Sequence, residues 1–389
     1  MATSPGEVQA ARDRAFAALK RGDYGGAAEQ FARVLASGAA DAAVWFGLSV
    51  ARRQLGAPAE EDAALEQALR LDARYVPALI RKGDLHAQRG DSTAACSYYR
   101  AAVELAASQP ALSPEWRGEV RRAEAASREI TARFTTHLLG TLSAQGLGAA
   151  GTERFARAVD LLLGRRQIYL QQPKHFYFPE LPQTQFYERS RFGWVPALEA
   201  QTPRIRAELT ALLASDRFEP YIRKTADRPS FGHPLLESMD WGACFLIKDG
   251  REAGENAARC PETMAALADV PLCRIAGRTP SVLFSLLRPG ARIRPHHGYT
   301  NARLICHLPL IVPKDCGLRV GNETHVWREG ELVVFDDSIE HEAWNLSKEL
   351  RVVLLFDIWR PELTDTERAL VAATLKAVSE FGGPQTWTD

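Results

Sequence analysis

Two histidine islands stand in the second half of the chain, Pro295-His296-His297-Gly298 and Glu340-His341-Glu342. Imidazole is a common donor to transition metals, so two such rings brought together from distant positions would make a metal site. Ten residues after His341 comes Arg351, at the head of the apolar run Val352 to Phe356. A guanidinium buried there is costly without an anion opposite it, and that anion could be a substrate carboxylate.

The residues around these islands read as paired strands and tight turns. Val282, Phe284 and Leu286 alternate with Ser281, Leu283, Ser285 and Leu287, which leaves both faces apolar, as in a sandwich or small barrel. From Asn301 to Val312, Arg303, Ile305 and His307 alternate with Leu304, Cys306 and Leu308, so Arg303 and His307 point the same way. A hairpin is expected around Gly321-Asn322, a turn at Gly330, and a last strand from Leu350 to Trp359. Upstream, Trp241 to Ile247 reads as a strand ending in the turn Lys248-Asp249-Gly250. Thr202 caps a helix carrying Ile205, Leu209 and Leu212 at helical spacing, and a short helix runs from Asn256 to Leu267. Between 173 and 196, aromatics and prolines crowd together, which excludes a regular helix and reads as an aromatic-anchored entry to the strand-rich domain.

The first hundred residues repeat. Gly22, Gly56 and Gly90 are 34 residues apart, as are Phe31, Leu65 and Tyr99, and Leu35, Leu69 and Val103. Helix pairs of this period form tetratricopeptide arrays, whose concave face usually holds a peptide or protein segment. The middle copy is the poorest, with Gly56-Ala57-Pro58 at its turn. From Ser113 to Gly164 the pattern stays helical and reads as two helices. The expected organisation is a repeat domain over 7–106, a helical linker over 107–172, a catalytic domain over 173–363, and a C-terminal helix and tail over 364–389.

Composition narrows the function class. The chain has 389 residues, 46% hydrophobic and 25% charged, with zero formal net charge and no block of like charges. That disfavours nucleic acid or an acidic membrane surface as partner. The start of the chain has no signal-peptide pattern and no apolar run reaches spanning length, so the sequence reads as cytoplasmic. Six scattered cysteines without a Cys-x-x-Cys pair read as reduced core thiols.

Several motifs in order carry a resemblance. Pro295 to Asn301, Leu304 to Pro313, Asn322-Glu323-Thr324, Phe335 to Trp344 and Trp359 to Leu363 resemble the aspartyl/asparaginyl β-hydroxylase family of iron(II)- and 2-oxoglutarate-dependent dioxygenases. The resemblance implies an α+β multidomain chain, with helical repeats followed by a double-stranded β-helix of jelly-roll type with flanking helices. It implies His296 and His341 as iron ligands, with Gly298 where most such enzymes carry a third, carboxylate ligand. It further implies Asp337 beside the metal water, Arg351 on the distal carboxylate of 2-oxoglutarate, and Ser285 and His307 assisting at its two ends. Arg303 and Trp241 are the substrate-side candidates. A family arginine that holds the substrate side chain is replaced by Ile305, which cannot pair with a carboxylate.

His297 is the rival ligand on register alone. His86, His137, His175, His233 and His325 read as structural, and Asp336 and Glu342 as turn or surface charges. The expected activity is hydroxylation of an Asp- or Asn-like β-carbon in a peptide or protein, consuming dioxygen and 2-oxoglutarate, with the repeats recruiting substrate or partner. The alternatives are an oxygenase for a small or carrier-bound amino acid, and a non-catalytic repeat adaptor with a β-roll binding module.

Overall fold

The glycines of the 34-residue period share one left-handed backbone conformation: Gly22 (φ +77°), Gly56 (φ +72°) and Gly90 (φ +79°). Only glycine reaches this region without strain, and it lets each helix turn back on its predecessor. The computed structural model describes residues 5–108, 112–215, 217–224 and 234–382, and the chain divides into two compact units, Met1–Ala156 and Arg157–Asp389. His233 lies outside the described residues.

In the first unit the turns join α1 (Pro5–Arg21) to α2 (Tyr24–Ala36), α3 (Ala42–Gln54) to α4 (Pro58–Leu71), and α5 (Val76–Gln88) to α6 (Ser92–Ala107). Asp23, Asp41 and Asp91 cap α2, α3 and α6 through their carboxylates, whereas α4 has no side-chain cap and begins on Pro58. Phe31, Leu65 and Tyr99 are all buried, so the periodic column is the seam between paired helices. A Cβ at Gly83 of α5 would strike the Tyr99 ring of its own pair, and one at Gly47 of α3 would strike the Phe31 ring of the preceding pair. The long α7 (Pro114–Ala144) packs Trp116, Val120 and Ile130 on α5 and α6, and α8 (Glu153–Leu162) carries the chain across the boundary between the units.

The second unit is an antiparallel sandwich. Its strands are β1 (Phe186–Tyr187), β2 (Glu219–Pro220), β3 (Trp241–Lys248), β4 (Arg251–Glu252), β5 (Val282–Leu287), β6 (Arg292–His296), β7 (Arg303–Ile311), β8 (Cys316–Val320), β9 (Glu323–His325), β10 (Val333–Phe335), β11 (His341–Asn345) and β12 (Arg351–Trp359). The larger sheet runs β1-β10-β7-β12-β5-β3-β2 with β4 on β3, and the smaller β6-β11-β8-β9. One face of the larger sheet, with Phe284, Cys306, Leu308, Leu354 and Phe356, is covered by Leu198 of α9 (Val195–Ala200) and Ile205 and Leu209 of α10 (Thr202–Leu213). The other face meets the smaller sheet through Trp241, Leu287, Ile305 and Phe335 against Ile293, Leu318, Val320 and Ala343. No described helix is long and apolar enough to cross a membrane.

Three local expectations are corrected. Thr202 is not a cap: Gln201 precedes the helix in αR geometry without a capping side chain, and Thr202 Oγ1 donates to Glu199 O at 2.7 Å, because α9 leads almost directly into α10. The single helix expected from Asn256 to Leu267 is two, α11 (Gly254–Ala258) and α12 (Pro261–Ala266), since Pro261 restarts the turn. Asp336 and Glu342 are buried rather than exposed turn charges.

Asp336 is held by partners distant in sequence. Arg360 Nη1 donates to its Oδ2 at 2.7 Å, and both side chains are 0% exposed. Gln171 Nε2 reaches the same oxygen at 2.6 Å, Asn301 Nδ2 donates to Gln171 Oε1 at 2.9 Å, and Arg360 Nη2 donates to Pro182 O. These contacts tie the segment near 171–182 to the loop before β11. Asp336→Ala would leave the buried guanidinium with only the longer ion pair of its Nε to Glu362 Oε2 at 3.5 Å, so the unit should lose about 3 kcal/mol of stability. A urea titration would read this as an earlier midpoint, and an unmoved midpoint would show the pair to be dispensable.

Candidate functional site

Strand register brings the two histidine islands together. His341 of β11 lies directly opposite His296 of β6, at a bulge in that pairing, and the two ring centroids are 4.1 Å apart. Each Nδ1 faces a backbone carbonyl, that of Arg294 at 2.8 Å and Ile339 at 3.1 Å. A proton on Nδ1 makes Nε2 the lone-pair nitrogen of each ring. Burial, reinforced by His341, lowers the His296 pKa to about 3, and burial lowers that of His341 to about 4. Both rings are therefore neutral near pH 7, the form that binds a metal. His297 is half-buried and outside this ring pair.

Gly298 follows His296 by two residues and has no room for a side chain. A Cβ there would run into the Asp337 carboxylate, and Gly298 N donates to Asp337 O at 2.6 Å. Asp337 thus fills the space that a carboxylate at 298 would need. Among the described residues, no group of three or more His, Cys, Asp or Glu is arranged to hold a metal ion. The donors on offer are the two imidazoles, with a carboxylate beside them, which suits a metal that takes its other ligands from a chelating co-substrate and water.

The inner face of the larger sheet supplies the surroundings. His307 of β7 pairs with Leu355 of β12, while Ser285 of β5 pairs with Val353 of β12 and Ala243 of β3, and Arg351 with Leu287. Directly paired residues share a face, so Arg303, His307, Ser285, Trp241 and Arg351 all project inward. Trp241 Nε1 donates to Ser285 Oγ at 3.1 Å, and Tyr221 stacks on the Trp241 ring at 4.0 Å.

Arg351 is the unbalanced charge in this interior. It is 1% exposed, and its Nε and Nη1 have no hydrogen-bond partner among the described residues. Its Cζ sits 4.5 Å from the centre of the Trp327 ring, and burial lowers its pKa to about 10. His307 Nδ1 and Trp327 Nε1 are also buried without partners, and burial together with Arg351 keeps His307 neutral. Several unsatisfied polar atoms around one cation fit a bound dicarboxylate.

Arg303, a substrate-side candidate in the sequence, already has anionic partners. It is buried between two carboxylates, Asp337 Oδ2 at 3.1 Å and Asp357 Oδ2 at 3.3 Å. Ile305, between Arg303 and His307, is 6% exposed and packs in the apolar core. Glu342 faces outward but is covered by Arg292 and Arg319, which counter the effect of burial and hold its pKa below the usual range. Sequence reasoning missed Asp357 and Trp327. An acid inside the apolar run of β12 was a usable signal for the first, whereas nothing local marked the second.

The family model described as aspartyl/asparaginyl beta-hydroxylase matches residues 199–361, and a tetratricopeptide-repeat model matches 76–109. The chain is 39% identical over 144 residues to the mouse (Mus musculus) aspartyl/asparaginyl beta-hydroxylase, covering 36% of this chain and 19% of that protein. It is 34% identical to the ornithine lipid ester-linked acyl 2-hydroxylase of Rhizobium tropici, covering 45% and 60%, and 32% identical to human (Homo sapiens) aspartate beta-hydroxylase domain-containing protein 2, covering 51% and 53%. In each case the match spans less than two thirds of the relative. The solved structure of PcrH from Pseudomonas aeruginosa overlaps 33% of this chain and 95% of its own, at 23% identity and a TM-score of 0.31. The paired histidines and the family match together identify residues 199–361 as a domain of the aspartyl/asparaginyl β-hydroxylase family, a family of hydroxylases, preceded in this chain by a tetratricopeptide-repeat region.

Proposed function

We propose that the chain is an iron(II)- and 2-oxoglutarate-dependent dioxygenase that hydroxylates the β-carbon of an Asn- or Asp-like residue in a peptide or protein, with the helical repeats recruiting that substrate or a partner. The observation that carries the reading is Arg351, a buried guanidinium with no anion opposite it among the described residues, inward-facing with Ser285 and His307. Bound at this site, iron(II) and 2-oxoglutarate supply the dioxygen activation that hydroxylation of an unactivated C–H bond requires.

The chain's own residues have separate tasks. His296 and His341 present two neutral nitrogens and leave coordination positions for co-substrate and dioxygen. Arg351 offers a planar fork to the distal carboxylate of 2-oxoglutarate, and Ser285 and His307 add hydrogen bonds to the co-substrate. Asp337 would hold a water beside iron bound by the two histidines, through a hydrogen bond accepted by its carboxylate. Trp241, Ile305 and Phe335 exclude bulk water from the inner face.

An uncharged target group suits the inner face best. Of its two arginines among the described residues, Arg351 serves the co-substrate and Arg303 is already shared by two carboxylates. An Asn-like amide is therefore favoured over an Asp-like carboxylate. Ile305 also favours a second reading, a carrier-bound amino acid or acyl group, in keeping with the acyl 2-hydroxylase among the relatives.

Purified protein given iron(II), ascorbate, air and 2-oxoglutarate should form succinate slowly without a prime substrate, and His341→Ala and Arg351→Ala should each abolish this. If the wild type also binds neither iron(II) nor 2-oxoglutarate under anaerobic conditions, the enzyme reading falls and a non-catalytic adaptor replaces it.

A pH dependence follows from the lowered histidine pKa values of about 3 and about 4. Protons and metal compete for the same nitrogens, and protons do not win until the pH nears those values. Anaerobic metal affinity should therefore stay level from pH 8 to about 5, whereas ordinary imidazoles would lose affinity below about 6.5. The metal-free protein loses stability toward acid, as a carboxylate-stabilised one does, but starting from a higher pH. Its unfolded histidines take up protons below about 6.5 while the folded pair does not, so stability present above that pH is lost as pH falls toward 4. Isothermal titration with manganese(II) and urea melts across this range check both.

A further inference from the structure

The two oxygens of Asp337 have different surroundings. Oδ2 accepts from Arg303 Nη2 at 3.1 Å, whereas Oδ1 is buried without a hydrogen-bond partner among the described residues. The carboxylate occupies the space beside Gly298, two residues from His296. A carboxylate rotates freely about its last bond unless something holds one oxygen. Here the holder is itself held: Arg303 Nη1 donates to Asp357 Oδ2 at 3.3 Å, and Asp357 Oδ1 accepts from Ser281 N at 2.7 Å. A line of contacts thus runs from the backbone of Ser281 through Asp357 and Arg303 to Asp337.

We propose that Arg303 is a positioning residue, whose guanidinium grips Oδ2 of Asp337 so that Oδ1 is turned toward water on a metal held by His296 and His341, with Asp357 fixing the guanidinium in turn. The proposal rests on the metal-site reading above and gives Arg303 a task other than substrate contact. The chemistry requires arginine. A guanidinium spans two carboxylates in one plane and stays charged when buried, and although burial pulls its pKa down, Asp337 and Asp357 hold it above the ordinary arginine range. A lysine ammonium is a point charge and would leave the Asp337 plane unfixed.

The arrangement also explains one cation facing two anions. The second carboxylate would be wasteful if Arg303 only neutralised Asp337, because a buried extra charge is costly. As an anchor it has a use, since it removes the guanidinium's freedom to follow Asp337.

The test is a thermodynamic cycle on metal binding, independent of turnover. Manganese(II) affinity is measured by electron paramagnetic resonance titration, and the visible spectrum of the cobalt(II)-loaded protein reports ligand geometry, for wild type, Arg303→Lys, Arg303→Met, Asp337→Asn and Arg303→Met with Asp337→Asn. Asp337→Asn is expected to weaken manganese(II) binding about tenfold, and Arg303→Met and Arg303→Lys to do the same with a matching cobalt(II) spectral change. Adding Arg303→Met to Asp337→Asn should change little further, because both act through one carboxylate. If Arg303→Met does not fold, Asp357→Asn, nearly isosteric, takes its place with a smaller loss that again vanishes in the Asp337→Asn background. Wild-type affinity and spectrum in Arg303→Lys and Asp357→Asn, or losses that multiply in the double variants, would overturn the positioning role. A wild type that binds neither metal would overturn the metal-site reading itself, an outcome distinct from a loaded site indifferent to Arg303.

Discussion

Guanidinium groups enclosed in a β-sandwich must each face an anion, and much of the second unit follows from how that requirement is met. A desolvated arginine without a counter-charge is worth several kcal/mol of destabilisation. Arg360 is answered by Asp336, and Arg303 by Asp337 and Asp357. Arg351 is buried as deeply, yet no described residue answers it, and it rests on the Trp327 ring. Beside Arg303 and Arg360, each on a carboxylate, a guanidinium that no described residue answers is the feature that supports the proposed anionic co-substrate. The fold bears this cost in the free state because the long ladders of β5, β7 and β12 carry large apolar side chains on the opposite face.

The charge pairs also border the proposed metal site. Asp336 and Asp337 are neighbours in sequence but face different partners, and each belongs to a separate network. Asp336 fastens the segment around Gln171 to Arg360, which sets the loop leading into β11 and hence the approach to His341. Asp337 points toward the histidine pair and is restrained by Arg303. Burial raises the pKa of both, and the arginines oppose that rise. Without those cations the carboxylates would tend to protonate, and the site would lose the negative charge beside its two neutral imidazoles.

The helical unit depends on another constraint, close approach of backbones. A 34-residue period serves only if the same positions meet in every repeat. Tyr99 presses on Gly83 of its own helix pair and Phe31 on Gly47 of the next pair, so glycines serve close approach both within and between pairs. The middle pair, with no capping side chain at Ala57, is held instead by the packing of Leu65 and Ala68. A weak local signal was sufficient there because its neighbours on both sides enforce the geometry.

Sequence by itself determined the elements with strong period. The helix pairs followed from columns at one spacing, and the strands from alternation around Ser285, His307 and Arg351, because local side-chain pattern dictates which face is apolar. The histidines could be named, but only strand register decided that His296 and His341 stand opposite one another, since a shift by one residue would have turned one of them away. Arg303 shows the limit most clearly. Its inward direction was legible from alternation, yet its partners lie 34 and 54 residues ahead in the chain, on a loop and on another strand. Asp336 and Glu342 were read as surface charges for the same reason, as their arginines come from positions 360, 292 and 319. Which charges are buried, and which cation is left open, depends on contacts between residues distant in sequence, and tertiary structure alone settles these.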